Sequence, residues 1–482
     1  MTDKKFFIKL RNYKYLILLI ILALILRFAW IDTIIERDEG TFGQVAWRMS
    51  NDELLYKDIA ESKPPGIFVI YLASTKLLGN NIYSARIVNN ILFLLSILIL
   101  FQTTKKLYNK KTALWSLIAY IFFMNIPFYE GQLAMAESFL VYFIIFSFYF
   151  IIKYLETKNN WFLIISGISF FIAITIKQSA MVWIIPSLYL LLKEKKNRTK
   201  NVLLFLSPTI ILGFIIIAFY LAQNIFHYLR FFLFDFLILR YNKGGFYRYV
   251  ELDYWFFIIS QGFIMWTLVT IWITNTIKKF KEKKVLKKDT LIFLWFISFF
   301  ITTLIPPSFG HYFLMVVPPA SIMAGSILSK NIKNKKFYAI IIIILAISII
   351  SQSIQWKDFP INKGNINIPY SGFDSKQEQK ETINFLKHNL NENETFIAFG
   401  WSPEIYWLTK REPPGISVFD FQEYLFIRKT SNEKVKYILI FEEREEKFIN
   451  FNKNKKINKI LDNYFILREG NPKILELKQK TI

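Results

Sequence analysis

Long apolar runs separated by short basic clusters pattern this chain from near its start to about Ser353. A helix needs about 20 mainly apolar residues to cross the hydrocarbon core of a bilayer. Such runs fall near residues 15–31, 82–104, 112–128, 137–154, 161–177, 179–193, 202–222, 256–277, 290–306, 312–329 and 337–355. They predict eleven transmembrane helices. Basic clusters precede the first run (Lys4, Lys5, Lys9, Arg11, Lys14) and then recur after every second one. They are Lys105-Lys106 with Lys110-Lys111, Lys153 with Lys158, Lys193 to Lys200, Lys278 to Lys288, and Lys330 to Lys336. Basic residues stay on the cytoplasmic side, so the N-terminus is expected inside and the segment after the last run outside. No small-residue cleavage site follows the first run, which reads as a retained helix.

Two loops on the external side are long. The first runs from about Ile31 to Asn81. The second, about Gln223 to Tyr254, is basic and aromatic, with His227, Arg230, Arg240, Lys243 and Arg248. Its apolar stretch from Phe231 to Leu239 is too short to span and predicts an interfacial or re-entrant segment. The tail changes character. Ser375 and Glu378 fit a capping box ahead of a helix with Ile383, Leu386 and Leu390 on one face. Phe396 to Phe399 and Val435 to Phe441 read as buried strands. The expected organisation is an all-α polytopic membrane domain over 1–355 and a small extracytoplasmic α/β domain over 356–482.

Composition agrees with membrane residence: 54% of the 482 residues are hydrophobic and 18% are aromatic. The net charge of +24 would suggest nucleic acid in a soluble protein. Here it lies in clusters between apolar runs, where it sets topology, and nucleic-acid binding is excluded on that ground. With no Cys, disulfides, thiolate zinc sites and thiol nucleophiles are excluded.

Several charged residues fall where lipid makes them costly. Asp38 and Glu39 follow the first apolar run on the outer side. They suit a base for an acceptor hydroxyl or ligands for a divalent cation; a solvated acidic loop is the plainer reading. Lys63 stands in Lys63-Pro64-Pro65-Gly66, where two prolines would hold a cation at fixed height, or where a lysine simply snorkels. Glu130 and Glu137 bracket an outer loop that has no Lys or Arg, and Glu137 also complements a helix N-terminus. Lys177 sits at an outer turn that the positive-inside rule disfavours, which asks for an anion such as a lipid-linked phosphate. His311, beside Tyr312, suits a phosphate contact or an acid. With three His in the chain, a His-rich metal site is not expected.

Acids and cations thus map to one face of the membrane. Cations would hold a phosphate leaving group while a carboxylate activates an acceptor, the division of labour of glycosyl transfer from a polyprenyl-phosphate sugar. A lipid-linked sugar transporter would instead place charges at mid-helix depth with repeat symmetry. A non-catalytic scaffold leaves the one-sided acid and Lys set without a reason.

The order of the motifs resembles the C-type-fold membrane glycosyltransferases of the protein O-mannosyltransferase and aminoarabinose transferase-like superfamily. Asp38-Glu39-Gly40 with Ala46-Trp47-Arg48-Met49 is similar to a first-loop Asp-Glu motif, and Lys63-Pro64-Pro65-Gly66 to a Lys-Pro-Pro segment. Glu137-Ser138-Phe139-Leu140 takes the place of a second acidic motif where Asp is more usual. Thr175-Ile176-Lys177-Gln178 is similar to a Thr-x-Lys-Gly turn, with Gln for Gly. His311-Tyr312 with Pro318 resembles an Arg/His-Tyr segment, and Gly400-Trp401-Ser402-Pro403-Glu404-Ile405-Tyr406 a segment of bacterial and archaeal members. The resemblance implies an undecaprenyl- or dolichyl-phosphate sugar donor, a protein, lipid or glycan acceptor, and transfer with inversion. It implies Asp38 as base, Glu39 and Glu137 as supporting acids, and Lys63 and Lys177 as donor-phosphate contacts, beside which His311 is placed on the reading of the residue above. Metal dependence varies in that superfamily, so no cofactor is assigned; a divalent cation, if used, would take Asp38, Glu39 and Glu137 as ligands.

Overall fold

The computed structural model describes residues 2–194, 196–236, 238, 259–284, 286–305, 309–330, 373, 376–399, 402–413, 435–441, 464–468 and 472–478. The expected span 337–355, the loop residues Arg240, Lys243 and Arg248, and the capping residue Ser375 lie outside them. The chain is mostly helical and divides into two compact units. The first comprises residues 1–31, 63–67 and 86–355; the second comprises 32–62, 68–85 and 356–482.

The apolar runs of the first unit fold into helices. These are α1 (Thr2–Phe28), α4 (Ile82–Leu107), α5 (Lys110–Phe123), α6 (Ala136–Thr157), α7 (Trp161–Ile176), α8 (Ile184–Leu192), α9 (Arg198–Ala222), α11 (Phe263–Lys281), α12 (Lys287–Thr303) and α13 (Val317–Lys330). Between α9 and α11, the helix Phe226–Arg230 (α10) runs into a π-helical turn over Phe231–Asp235. Among the described residues, four continuous helices are long and apolar enough to cross a membrane: Ile82–Leu107, Ala136–Thr157, Arg198–Ala222 and Gly310–Lys330. Other runs are shortened by breaks. The stretch expected to hold two spans over 161–193 is cut at Lys177, and a 3-10 turn over Gln178–Trp183 precedes α8.

Packing in this unit rests on aromatic and small polar residues, as expected where lipid removes the hydrophobic drive for helices to associate. Trp183 and Trp295 are fully buried with ring centres 5.1 Å apart, and Phe148 meets Trp295 at 4.9 Å. The Trp183 indole donates to Ser147 Oγ at 3.0 Å, and the Ser147 and Ser166 hydroxyls pair at 2.9 Å across α6 and α7.

In the second unit the expected long loop after α1 folds into two helices, α2 (Arg37–Ser50) and α3 (Gly66–Leu78), the latter beginning in the first unit. At 13 residues α3 is about 20 Å long, short of the ~30 Å hydrocarbon core. Phe42 of α2 packs edge-on against Phe68 and Tyr71, with ring centres 5.9 and 5.4 Å away. The tail contributes helices α14 (Lys376–Asn389) and α15 (Glu404–Thr409) and a four-stranded sheet. Its strands are β1 (Thr395–Phe399), β2 (Val435–Ile440), β3 (Tyr464–Arg468) and β4 (Lys473–Leu477), in the order β1-β2-β4-β3. β1 and β2 are parallel, and α15 lies in the crossover that such a pair requires. Both strands expected from the sequence are present, and Ile383 and Leu386 face the core from α14 as expected.

Candidate active site

Three segments far apart in sequence meet in the first unit. Lys177 follows α7 with an extended backbone, φ −155° and ψ 134°, so the helix stops there. Its ammonium forms an ion pair with Glu137 Oε1 and lies 3.5 Å from the centre of the Tyr312 ring, in cation–π contact. Glu137 is buried in the first turn of α6, where free backbone N–H groups favour a negative charge. His311 comes from the 3-10 turn Gly310–Val316. Its Nδ1 lies 2.9 Å from Glu130 Oε2, and its Nε2 lies 4.0 Å from Glu137 Oε1.

Local backbone geometry builds this group. Glu130 closes the 3-10 turn Pro127–Tyr129 in the left-handed region at φ 55°, and its N–H donates to the Pro127 carbonyl at 2.9 Å. Gly310 lets the next segment reach that turn, because a Cβ there would fall 2.3 Å from the Phe128 carbonyl oxygen. Glu130, Glu137 and His311 are each under 5% exposed. Burying charges costs more than an ion pair usually returns, and an apolar core of similar volume would hold these helices at least as well. The arrangement is therefore poorly explained by stability alone.

Lys63 lies just before Gly66. A Cβ on Gly66 would sit 2.5 Å from Thr175 Oγ1 and 2.7 Å from the Thr175 carbonyl, so the Lys-Pro-Pro-Gly segment presses against the chain two residues before Lys177. Two motifs noticed separately in the sequence thus share one contact.

Asp38 and Glu39 lie in the second unit, in the first turn of α2. They form no solvated loop. Asp38 is 8% exposed and Glu39 is 3% exposed. Glu36 caps the helix: its Oε2 accepts from the Asp38 N–H at 2.5 Å and the Glu39 N–H at 3.4 Å. Glu39 Oε2 accepts from the Glu36 N–H at 3.4 Å, completing a capping box. Arg37 Nε stands 3.7 Å from Asp38 Oδ1. Glu39 therefore has a structural task, whereas Asp38 carries its carboxylate on a rigid helix start beside a guanidinium. Among the described residues, no group of three or more His, Asp or Glu side chains is arranged to hold a metal ion.

Some participants gave little sign of themselves in the sequence. Glu130 was visible only as an acid in an outer loop, and its partnership with His311 spans 181 positions. Arg27 ends α1 fully buried, donating to the Gly131 carbonyl and stacking 3.9 Å from the Phe93 ring centre. An arginine inside an apolar run was the available signal, since such residues are rarely placed without a partner.

Residues 62–222 match the family model described as dolichyl-phosphate-mannose-protein mannosyltransferase. No curated protein matches the chain in sequence. Among solved structures, ArnT from Cupriavidus metallidurans bound to undecaprenyl phosphate is similar over 97% of this chain and 99% of its own, at 11% identity and a TM-score of 0.66. The Archaeoglobus fulgidus oligosaccharyltransferase tethered to an acceptor peptide is similar over 89% of this chain and 69% of its own, at 12% identity and a TM-score of 0.53. AglB from the same organism, in complex with an inhibitory peptide and a dolichol-phosphate, is similar over 98% and 75%, at 12% identity and a TM-score of 0.50. At these identities the structural likeness speaks for the fold. Over residues 62–222 the chain is similar to that mannosyltransferase family model, and over most of its length it shares the fold of ArnT and of the oligosaccharyltransferase.

Proposed function

We propose that this protein is an integral membrane glycosyltransferase that moves a sugar from a polyprenyl-phosphate donor to a hydroxyl acceptor on the extracytoplasmic face. The observation that carries the reading is the group in which half-buried Lys177 pairs with buried Glu137 and lies over the Tyr312 ring, with buried His311 beside it. A donor phosphate would take the Lys177 ammonium in exchange for Glu137, with His311 and Lys63 as further contacts. Asp38, in the second unit, is the base. As the acceptor oxygen attacks the anomeric carbon, its proton passes to Asp38 and the bond from that carbon to the phosphate oxygen breaks. The lipid phosphate leaves with the electron pair, its charge stabilised by the cations. A single displacement of this kind inverts the anomeric centre. The accompanying topology has eleven spans, the N-terminus in the cytoplasm and the tail outside.

The test is mass spectrometry of glycans and glycolipids from cells with the protein, without it, and with Asp38→Asn at equal expression. A product that disappears in the last two, while purified Asp38→Asn still binds undecaprenyl phosphate, supports the reading. Identical profiles with and without the protein would sink it. Normal product from Asp38→Asn would remove that residue as base. The same reaction in isolated membranes with and without a chelator decides whether the acids also hold a divalent cation. A reporter fused after Ile482 is expected outside.

A further inference from the structure

The tail segment around Glu404 has no part in the transfer chemistry, yet it is built against the helix that carries Asp38. A Cβ on Gly40 would fall 2.7 Å from both the backbone nitrogen and the Cβ of Glu404. One on Gly43 would fall 2.3 Å from a Trp407 ring atom. So α2 and α15 touch backbone to backbone within the second unit. α15 is itself anchored: the Trp407 indole donates to Asn80 Oδ1 at 2.8 Å, and the Tyr406 hydroxyl accepts from the Ala398 N–H of β1 at 2.9 Å.

Gln379 of α14 completes the contact. Its Oε1 accepts from the Ile35 N–H at 3.2 Å, and its Nε2 donates to Glu404 Oε1 at 3.2 Å. Ile35 directly precedes Glu36, the cap of α2. A chain of bonds therefore runs from Glu404 through Gln379 to the segment entering the helix.

We propose that Glu404 is a positioning residue that seats the first turn of α2, and with it Asp38, through Gln379 and the Gly40 contact. The inference rests on the reading of Asp38 as base. Glu404 is fully buried, and burial pushes its carboxyl up to about 8 against weaker opposing pulls from its own backbone, Gln379, Arg37 and Ser402. At neutral pH it is thus a neutral acid. The groups facing it among the described residues are Gln379 from α14, Arg37 from α2 and Ser402 from the turn before α15, and of these only Arg37 is charged. Asp38 and Glu39 share the turn of α2 with Arg37, and Asp38 stands 3.7 Å from the Arg37 Nε. An ionised Glu404 would compete with Asp38 for that guanidinium and loosen the seat.

Hydrogen exchange on the full-length protein in detergent tests this without a substrate. After correction for intrinsic rates, the wild-type amides of residues 36–44 are expected to lose protection about tenfold between pH 7 and 9, as one unit above the titration point implies. Glu404→Gln, which mimics the neutral acid, stays protected at both pH values. Glu404→Ala is unprotected at both. In cells, product is kept by Glu404→Gln and falls about tenfold in Glu404→Ala at equal expression, about 1.4 kcal/mol of lost transition-state stabilisation. A Glu404→Gln protein that exchanges like Glu404→Ala, or keeps the wild-type pH response, would overturn the proposal, as would full protection in Glu404→Ala. Unchanged product in Asp38→Asn would remove Asp38 as the base and leave the exchange result to decide the seating by itself.

Discussion

Glu130 Oε2 lies 2.9 Å from His311 Nδ1, joining two residues 181 positions apart in the buried interior of the helical unit. A carboxylate at Nδ1 fixes the proton there and leaves Nε2 facing Glu137 at 4.0 Å. Glu130→Gln keeps the shape and removes the charge. Binding of undecaprenyl phosphate to the purified protein should weaken about tenfold, since hydrogen bonds to charged groups contribute about 1.5–3 kcal/mol. His311→Gln should weaken it by a similar factor, and the double variant by little more, because the two act as one unit. Additive losses would mean that Glu130 does not work through His311.

Lys177 and Glu137 separate stability from binding. Lys177→Ala takes the ammonium from a buried carboxylate, a change that costs about 3–5 kcal/mol in such pairs. Thermal unfolding should show a large drop. Lys177→Ala combined with Glu137→Ala should recover much of the stability while lipid-phosphate binding stays weak. Recovery of both would reduce the pair to a structural bridge.

Gly66→Ala probes the contact between the Lys63 segment and the Lys177 turn without altering a charge. The new methyl would stand 2.5 Å from Thr175 Oγ1 and 2.7 Å from its carbonyl. Overpacking of this kind costs about 1–3 kcal/mol. The variant should melt earlier and bind lipid phosphate less well. A silent result would show that Lys63 and Lys177 are positioned independently.

Glu404 makes stability depend on pH in a stated direction. Its folded-state value, about 8, lies above the ordinary 4.5. Below 4.5 both folded and unfolded chains are protonated, and the contribution of the neutral acid is fully present. As pH rises towards 8 the unfolded chain has released a proton that the folded chain retains, so stability falls; above 8 this decline ends. The slope approaches about 1.4 kcal/mol per pH unit at most. Thermal midpoints should therefore decline from pH 5 to 8 in the wild type and flatten in Glu404→Gln. Equal slopes would show that another group carries the dependence.

How much of this was legible depended on the range of the signal. Spans such as Ile82–Leu107 and strands such as Val435–Ile440 follow from local hydrophobicity. Glu137, Lys177 and His311 stood out singly, because a charge in an apolar stretch is costly wherever the chain folds. Helix α2 did not stand out. It opens on Glu36 rather than the usual Ser, Thr, Asp or Asn cap, and it carries Gly40 and Gly43, which weaken helices. Those glycines make sense only once Glu404 and Trp407 are seen against them.

By itself the sequence determined the membrane habit, the helix-forming runs, the tail strands and the identity of the isolated charges. These depend on transfer energies and backbone propensities that act over a few neighbouring residues. Only the tertiary structure decided which charges meet. Glu137 with Lys177, Glu130 with His311 and Glu404 with the first turn of α2 are separated by tens to hundreds of positions. Such pairings rest on backbone breaks and on glycine contacts where a single Cβ would not fit, and no local pattern encodes them.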